Sequence, residues 1–260
     1  MQTQRFVNQV VLVSGGATGI GAKTCEMFAQ EGAKVAINHA PTDRDRSACA
    51  LLLKRIEAAG GIAMGFECDI AERAGVHKMV STIQEKLGTV DILVSNAITG
   101  VFKNVIDLTC DDFERTLKVN LGGALWCTQA CLPGMLKQGR GCVLYVSSNA
   151  VLNGGGGSVI YPASKGALEG LMNGLIYEWG KSGVRFNIIR PGPTNTETQR
   201  SRYTDQQWEQ YQERLPMGRA GEPEEVANAI LFMCDNQNAG IINGATLAVD
   251  GARTNHVKTH

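Results

Sequence analysis

Short apolar runs alternate with longer stretches of helical period along this chain. Val10 to Ser14, Lys34 to Asn38, Ile62 to Cys68, Asp91 to Ser95, Cys142 to Ser147, Val184 to Arg190 and Thr246 to Val249 read as strands. Most lack strict polar/apolar alternation, as expected of strands buried on both faces of a parallel sheet. Between them Gly19 to Gln30, Arg44 to Ala59, Arg73 to Leu87, Asp111 to Lys137, Val159 to Lys181 and Pro223 to Cys234 read as helices. This order predicts an α/β, doubly wound architecture: a seven-stranded, mostly parallel sheet with helices on both faces and right-handed crossovers. No linker, repeat or low-complexity tract divides the chain, so residues 1–260 read as one domain.

Composition narrows the function. Lysine plus arginine number 25 and aspartate plus glutamate 25, so the formal net charge is zero. That balance speaks against a nucleic-acid or membrane-surface partner and for a small molecule. The polar start, Met1 to Gln9, lacks the apolar stretch of a signal peptide, and no long apolar run is present. The eight cysteines have no C-x-x-C spacing and lie mostly in apolar segments, so they read as small buried hydrophobes in a reducing cytoplasm. No metal site is expected.

Glycine is in excess, 31 of 260 residues, well above the roughly 7% usual. The first strand runs straight into Ser14-Gly15-Gly16-Ala17-Thr18-Gly19-Ile20-Gly21, and a helix follows. Glycines there permit positive φ, close approach of a pyrophosphate and tight helix–strand packing. The free N–H groups at the helix start then face the diphosphate. The spacing G-x-x-x-G-x-G resembles the short-chain dehydrogenase/reductase family, with Ser14 where that family has threonine. The resemblance implies a Rossmann-like fold, NAD(P), and a cradle made by Ser14, Gly15, Thr18, Gly19, Ile20 and Gly21.

Tyr161-Pro162-Ala163-Ser164-Lys165 supplies the second motif, Y-x-x-x-K. Residues four apart share one helix face. An ammonium close to a phenol favours the phenolate, which suits the proton transfer that accompanies hydride transfer. By resemblance, Ser148 hydrogen-bonds the substrate oxygen, Asn120 holds the water of a proton relay, and Lys165 lowers the Tyr161 pKa and holds the ribose. Asn120, Ser148, Tyr161 and Lys165 are therefore the expected catalytic set. Ser147 is the adjacent competitor, but register favours Ser148.

The resemblance runs nearly the whole chain. Cys68-Asp69-Ile70 matches the segment whose aspartate contacts adenine. Ser95-Asn96-Ala97-Ile98 matches N-N-A-G, with Ser95 for asparagine and Ile98 for glycine, which puts the local path in question. Arg190 to Thr196 matches the P-G loop, where Pro191, Gly192, Thr194 and Thr196 would meet the nicotinamide and diphosphate. With Tyr161 and Lys165, the expected cofactor contacts add His39, Asp69, Ile70, Asn96 and Ala97 to the cradle. At the end of the second strand, His39 stands where an acid would select NAD. Arg44 and Arg46 follow, alternating with Asp43 and Asp45, so the charge pattern tips only slightly to NADP.

The expected chemistry is hydride transfer between NAD(P) and a secondary alcohol or carbonyl. Glu197 to Leu215 is rich in polar side chains and poor in aliphatics, which points to a sugar- or polyol-like substrate, unless those side chains merely face water. The alternatives are a 3-oxoacyl-type ketone reductase, for which Arg200 and Arg202 would meet an acidic carrier, and a catalytically silent dinucleotide-binding protein. A nucleotide-sugar epimerase or dehydratase would need a larger C-terminal region. The resemblance further implies a homotetramer or homodimer.

Overall fold

In the computed structural model, residues 4–154 and 157–255 are described. The strands are β1 (Val10–Ser14), β2 (Lys34–His39), β3 (Ile62–Glu67), β4 (Val90–Ser95), β5 (Gly141–Val146), β6 (Val184–Pro191) and β7 (Thr246–Val249). They form one sheet in the order β3-β2-β1-β4-β5-β6-β7. Every registered pair is parallel, β7 included, so the sheet is more uniform than the sequence predicts.

The helices in chain order are α1 (Gly19–Gln30), α2 (Asp43–Ala58), α3 (Arg73–Lys86), α4 (Cys110–Leu117), α5 (Gly123–Gln138), α6 (Ala150–Asn153), α7 (Ile160–Trp179), α8 (Glu197–Arg200), α9 (Asp205–Glu213), α10 (Pro223–Cys234) and α11 (Asn236–Ala239). Successive strand residues point to opposite faces, and each face is apolar. Val10, Leu12, Leu93, Val143 and Tyr145 pack with residues of α3, α5 and α7. Val11, Val13, Ile92, Val94 and Leu144 pack with residues of α1, α2 and α10. Two buried layers explain why the strands read as continuous apolar runs.

Two segments differ from the sequence reading. The single helix expected over Asp111 to Lys137 is α4 and α5 joined by a π turn at Lys118–Gly122. Gly123 follows that turn because Ile70 fills the space of a side chain: a Cβ there would lie 2.3 Å from Ile70 Cδ1. The polar stretch from Glu197 to Leu215 is not simply polar. Its aromatics Tyr203, Trp208 and Tyr211 stack on one another and, with Leu215 and Ala220, make a small separate core.

Candidate active site

Ser14, His39, Asn96, Ser148 and the Pro191–Thr196 loop all sit at or just beyond the C-terminal ends of their strands. β1 lies between β2 and β4, so chain order reverses there, where doubly wound sheets bind ligands. The glycine loop fits a diphosphate by its shape. Gly15 has φ +61, and a Cβ on it would lie 2.7 Å from Ala97 Cα. A Cβ on Gly21 would lie 2.2 Å from Gly15 O. Thr18 precedes α1 without capping it, so its hydroxyl leaves the first-turn N–H groups of α1 to a ligand. Thr196 reaches across from the loop after β6; its Cγ2 lies 3.3 Å from the position of a Gly19 Cβ. The cradle and the loop after β6 therefore form one surface.

Polar struts fix that loop from behind. The Ser14 hydroxyl is fully buried and accepts the N–H groups of Asn96 (3.0 Å) and Ala97 (3.2 Å). It shapes the loop from inside. Asn96 Nδ2 donates to Gly15 O at 2.9 Å and Ser14 O at 3.2 Å. These bonds span the β1–β4 junction and are intact beside Ile98, whose side chain is exposed. The missing family glycine thus leaves the Asn96–Ala97 path undisturbed.

Asn38 was not singled out from the sequence, yet it holds the loop to the sheet. Its Oδ1 accepts from Gly15 N at 3.3 Å, its backbone carbonyl from Gly16 N at 2.8 Å, and its Nδ2 donates to Phe66 O and Cys68 O. The available signal was an amide inside an apolar strand run. His39 is buried, with Nδ1 3.0 Å from Ala40 O. Arg46 pairs with Glu67 and Asp43, and Arg44 pairs with Glu197, yet both side chains stay exposed at the solvated start of α2. Asp69 pairs with Arg115 and accepts from Ala71 N; burial opposes its ionisation, but these bonds outweigh it and hold the carboxyl below its ordinary pKa. Ile70 is buried beneath Gly123.

The four expected catalytic residues converge. Ser148 stands close enough to the Tyr161 phenol to favour its ionised form, and its Oγ accepts from Ala150 N at 3.1 Å. Ser147 instead donates to Lys165 O at 3.1 Å and is buried, so it bolts β5 to α7. Asn120 lies in the π turn with its side chain fully engaged: Oδ1 accepts from Thr99 N (2.8 Å), and Nδ2 donates to Thr99 O (3.0 Å) and Ser164 Oγ (2.9 Å). Ser164 in turn donates to Tyr161 O at 2.7 Å.

One electrostatic expectation is corrected. Lys165 was expected to lower the Tyr161 pKa, yet the phenol lies above its ordinary value. Burial raises it, and the nearby Ser148 hydroxyl and the Arg202 charge only partly offset that. The Lys165 ammonium donates at 2.6 Å to Val146 O, and burial pushes its own pKa down to about 7. Arg202 lies over the Phe102 ring, 4.0 Å from its centroid. Of the loop Gly154 to Gly157, residues 155 and 156 lie outside the described residues.

A doubly wound sheet, a glycine cradle at its switch point, and a Ser–Tyr–Lys cluster beside it define a dinucleotide-dependent oxidoreductase. A family model described as enoyl-(acyl carrier protein) reductase matches residues 15–253. L-rhamnose 1-dehydrogenase (NAD(P)(+)) of Sphingomonas is 38% identical over 245 residues, 94% of this chain and 95% of that protein. Meso-2,3-butanediol dehydrogenase of Serratia marcescens is 33% identical, covering 96% of each chain. A blue fluorescent protein from a metagenomic library, solved with NADPH, superposes with a TM-score of 0.88 at 29% identity, over 97% of this chain and 100% of that one. The chain belongs to the short-chain dehydrogenase/reductase family and is an NAD(P)-dependent oxidoreductase.

Proposed function

We propose that the protein oxidises a secondary hydroxyl, or reduces the matching carbonyl, of a sugar- or polyol-like substrate. The observation that carries the chemistry is the convergence of the Ser148 and Tyr161 hydroxyls beside the glycine cradle. Bound in that cradle, the nicotinamide supplies or accepts the hydride. Tyr161 Oη takes the alcohol proton or returns it to the carbonyl oxygen. Ser148 donates to that same oxygen and so sets its distance from Tyr161. Lys165 would hold the ribose hydroxyls, with its charge near balance at neutral pH. Since the Asn120 side chain is spent on Thr99 and Ser164, its backbone in the π turn is what would hold relay water.

The cradle residues Gly15, Thr18, Gly19, Ile20 and Gly21, with Thr194 and Thr196 opposite, would bind the diphosphate and nicotinamide. Asp69, Ile70, Asn96 and Ala97 would border the adenosine. His39 offers no acid to repel a 2′-phosphate, and Arg44 and Arg46 stand close by, each already paired with a carboxylate. Both cofactors are then accepted, with NADP ahead by less than about tenfold in kcat/KM. A large preference for NAD would overturn that ordering.

The rhamnose and butanediol dehydrogenases named above act on polyhydroxylated or vicinal alcohols by name, as does D-threitol dehydrogenase, 32% identical. The acyl-carrier alternative is weaker: Arg200 is tied to Asp205, which leaves Arg202 alone for an acidic carrier. A substrate panel followed by reduced-cofactor absorbance tests the reading. Turnover of aldoses, threitol or 2,3-butanediol is expected; turnover of hydrophobic ketones alone would overturn it. We further propose a cytoplasmic homotetramer or homodimer, for which the exposed Tyr177, Trp179, Ile241 and Leu247 supply apolar contact area. No helix among the described residues is long and apolar enough to cross a membrane.

A further inference from the structure

Phe102, between β4 and α4, and Arg202, between α8 and α9, meet beside the catalytic tyrosine. The Arg202 guanidinium carbon lies 4.0 Å from the centroid of the Phe102 ring. Phe102 also packs on the segment that joins Ser148 to Tyr161: a Cβ on Gly157 would lie 2.7 Å from Phe102 Cδ1. Gly100 keeps the space between the Phe102 and Tyr161 rings clear. A Cβ on it would stand 3.8 Å from Tyr161 Cδ2 and 3.8 Å from Phe102 Cε2, so those two ring atoms are no more than twice that distance apart. Cation, ring and phenol therefore share one side of the active site.

The Arg202 backbone is anchored, whereas the end of its side chain is not. Tyr203, the next residue, stacks on Tyr211, and its N–H donates to Arg200 O at 3.1 Å. Arg202 Nη1 donates to Gln199 Oε1 at 3.3 Å. Among the described residues, Nε and Nη2 have no hydrogen-bond partner and no carboxylate pairs with the guanidinium. The nearest acids on either side in sequence serve others: Glu197 pairs with Arg44, and Asp205 with Arg200. Nε and Nη2 lie on one edge of the fork, and such an edge takes a carboxylate through two parallel hydrogen bonds. The side chain is exposed, so a ligand can reach it. The Phe102 ring shields part of it from water, which strengthens its hold on an anion. One guanidinium with one free edge matches a single carboxylate. A phosphate dianion calls for a second cation, and Arg200 is already tied to Asp205.

We propose that Arg202 is a specificity residue that takes a carboxylate of the substrate on its free edge, so that the preferred substrates are hydroxy acids of the sugar or polyol series. The proposal rests on the secondary-alcohol reading above and narrows it. The carboxylate end of the substrate lies against Arg202 and Phe102, and a secondary carbinol further along the same chain reaches Ser148 and Tyr161. Neutral polyols fill the same space without the ion pair and are the poorer substrates.

The test compares threitol, threonate and threitol monophosphate as substrates of the full chain at saturating cofactor. Threonate differs from threitol only by a carboxylate in place of one terminal hydroxymethyl group. The parent protein should favour threonate over threitol by about tenfold or more in kcat/KM, the order expected of a charge-assisted hydrogen bond, with the gain in KM. Arg202→Met should bring that ratio to near one by raising KM for threonate. Arg202→Lys, which keeps the charge but not the fork, should retain part of it. A ratio near one in the parent would overturn the proposal. So would a ratio that Arg202→Met preserves, or a higher kcat/KM for threitol monophosphate than for threonate. Turnover of threitol without turnover of threonate leaves the alcohol reading standing and removes this proposal, whereas turnover of none of the three removes both. The ratio is internal to each protein, and the parent value needs no substitution, so a misfolded variant cannot decide the outcome.

Discussion

Ser147 and Ser148 are neighbours with separable work, and substitution should show it. Ser148 stands beside the Tyr161 phenol, whereas Ser147 holds the Lys165 carbonyl. Tyr161→Phe should abolish turnover while cofactor binding, read by reduced-cofactor fluorescence, persists; turnover near that of the parent would refute the assignment. Ser148→Ala should lower kcat by about 10²- to 10⁴-fold. Ser147→Ala should cost roughly 1 kcal/mol of stability, seen as a lower urea midpoint, with kcat changed far less. Lys165 gives a pH signature. Its folded pKa of about 7 lies below the ordinary 10.5, so the unfolded chain binds more protons between those values. Stability of the apo protein should therefore climb as pH rises from 7 toward 10.5, and Lys165→Met should flatten that slope. An unchanged slope would remove Lys165 as its source. At this scale the sequence was informative on identity and poor on electrostatics. Spacing paired Tyr161 with Lys165, and Ser148 and Asn120 came only through the family resemblance; the fold alone shows that Val146 O captures the ammonium.

Glycine spacing made the β1–α1 turn legible, because few other segments need so many missing side chains at once. The support behind it was less so. Asn38 sits among apolar residues, and nothing in β2 alone says that Gly15 and Gly16 lean on it. Asn38→Ala should leave the sheet folded and weaken dinucleotide binding about tenfold, read by fluorescence titration, since one buried hydrogen bond is worth about 1–3 kcal/mol when a partner is left unsatisfied. Gly21→Ala is harsher, because its Cβ would meet Gly15 O at 2.2 Å. Loss of measurable cofactor binding is expected, and parent-like affinity would show that the cradle can yield. The break between α4 and α5 was illegible for a different reason. Periodicity persists across Lys118–Gly122, and the extra residue of the π turn reflects contacts to Thr99, Ser164 and Ile70 that are distant in sequence. The four-residue helices are too short to display any period.

Across the whole molecule, ligand and self-association should both register. Binding of NADP at about 100-fold over its Kd should stabilise the fold by roughly 2.7 kcal/mol, and the unfolding temperature should keep rising with concentration. Sedimentation at micromolar concentration should give a tetramer or dimer, and Ile241→Glu should shift it toward smaller species; Ile241 is 97% exposed in the isolated chain. A monomer in the parent protein would sink that expectation. Sheet class and strand count were read correctly because both faces are apolar on most strands, but edge pairing of β7 required the fold. The strand order also sets a timetable for synthesis. β1 is flanked by β2 and β4, and Val10 N is capped by Asp91, 81 positions later. At about 5–20 residues per second, a nascent β1 waits roughly 4–16 s for that neighbour. During that interval β2 covers one edge and α1 and α2 can cover one face, while the other edge stays open until β4 arrives. A ribosome-bound chaperone therefore has its longest claim on the first strand, the same one that ends in the phosphate cradle.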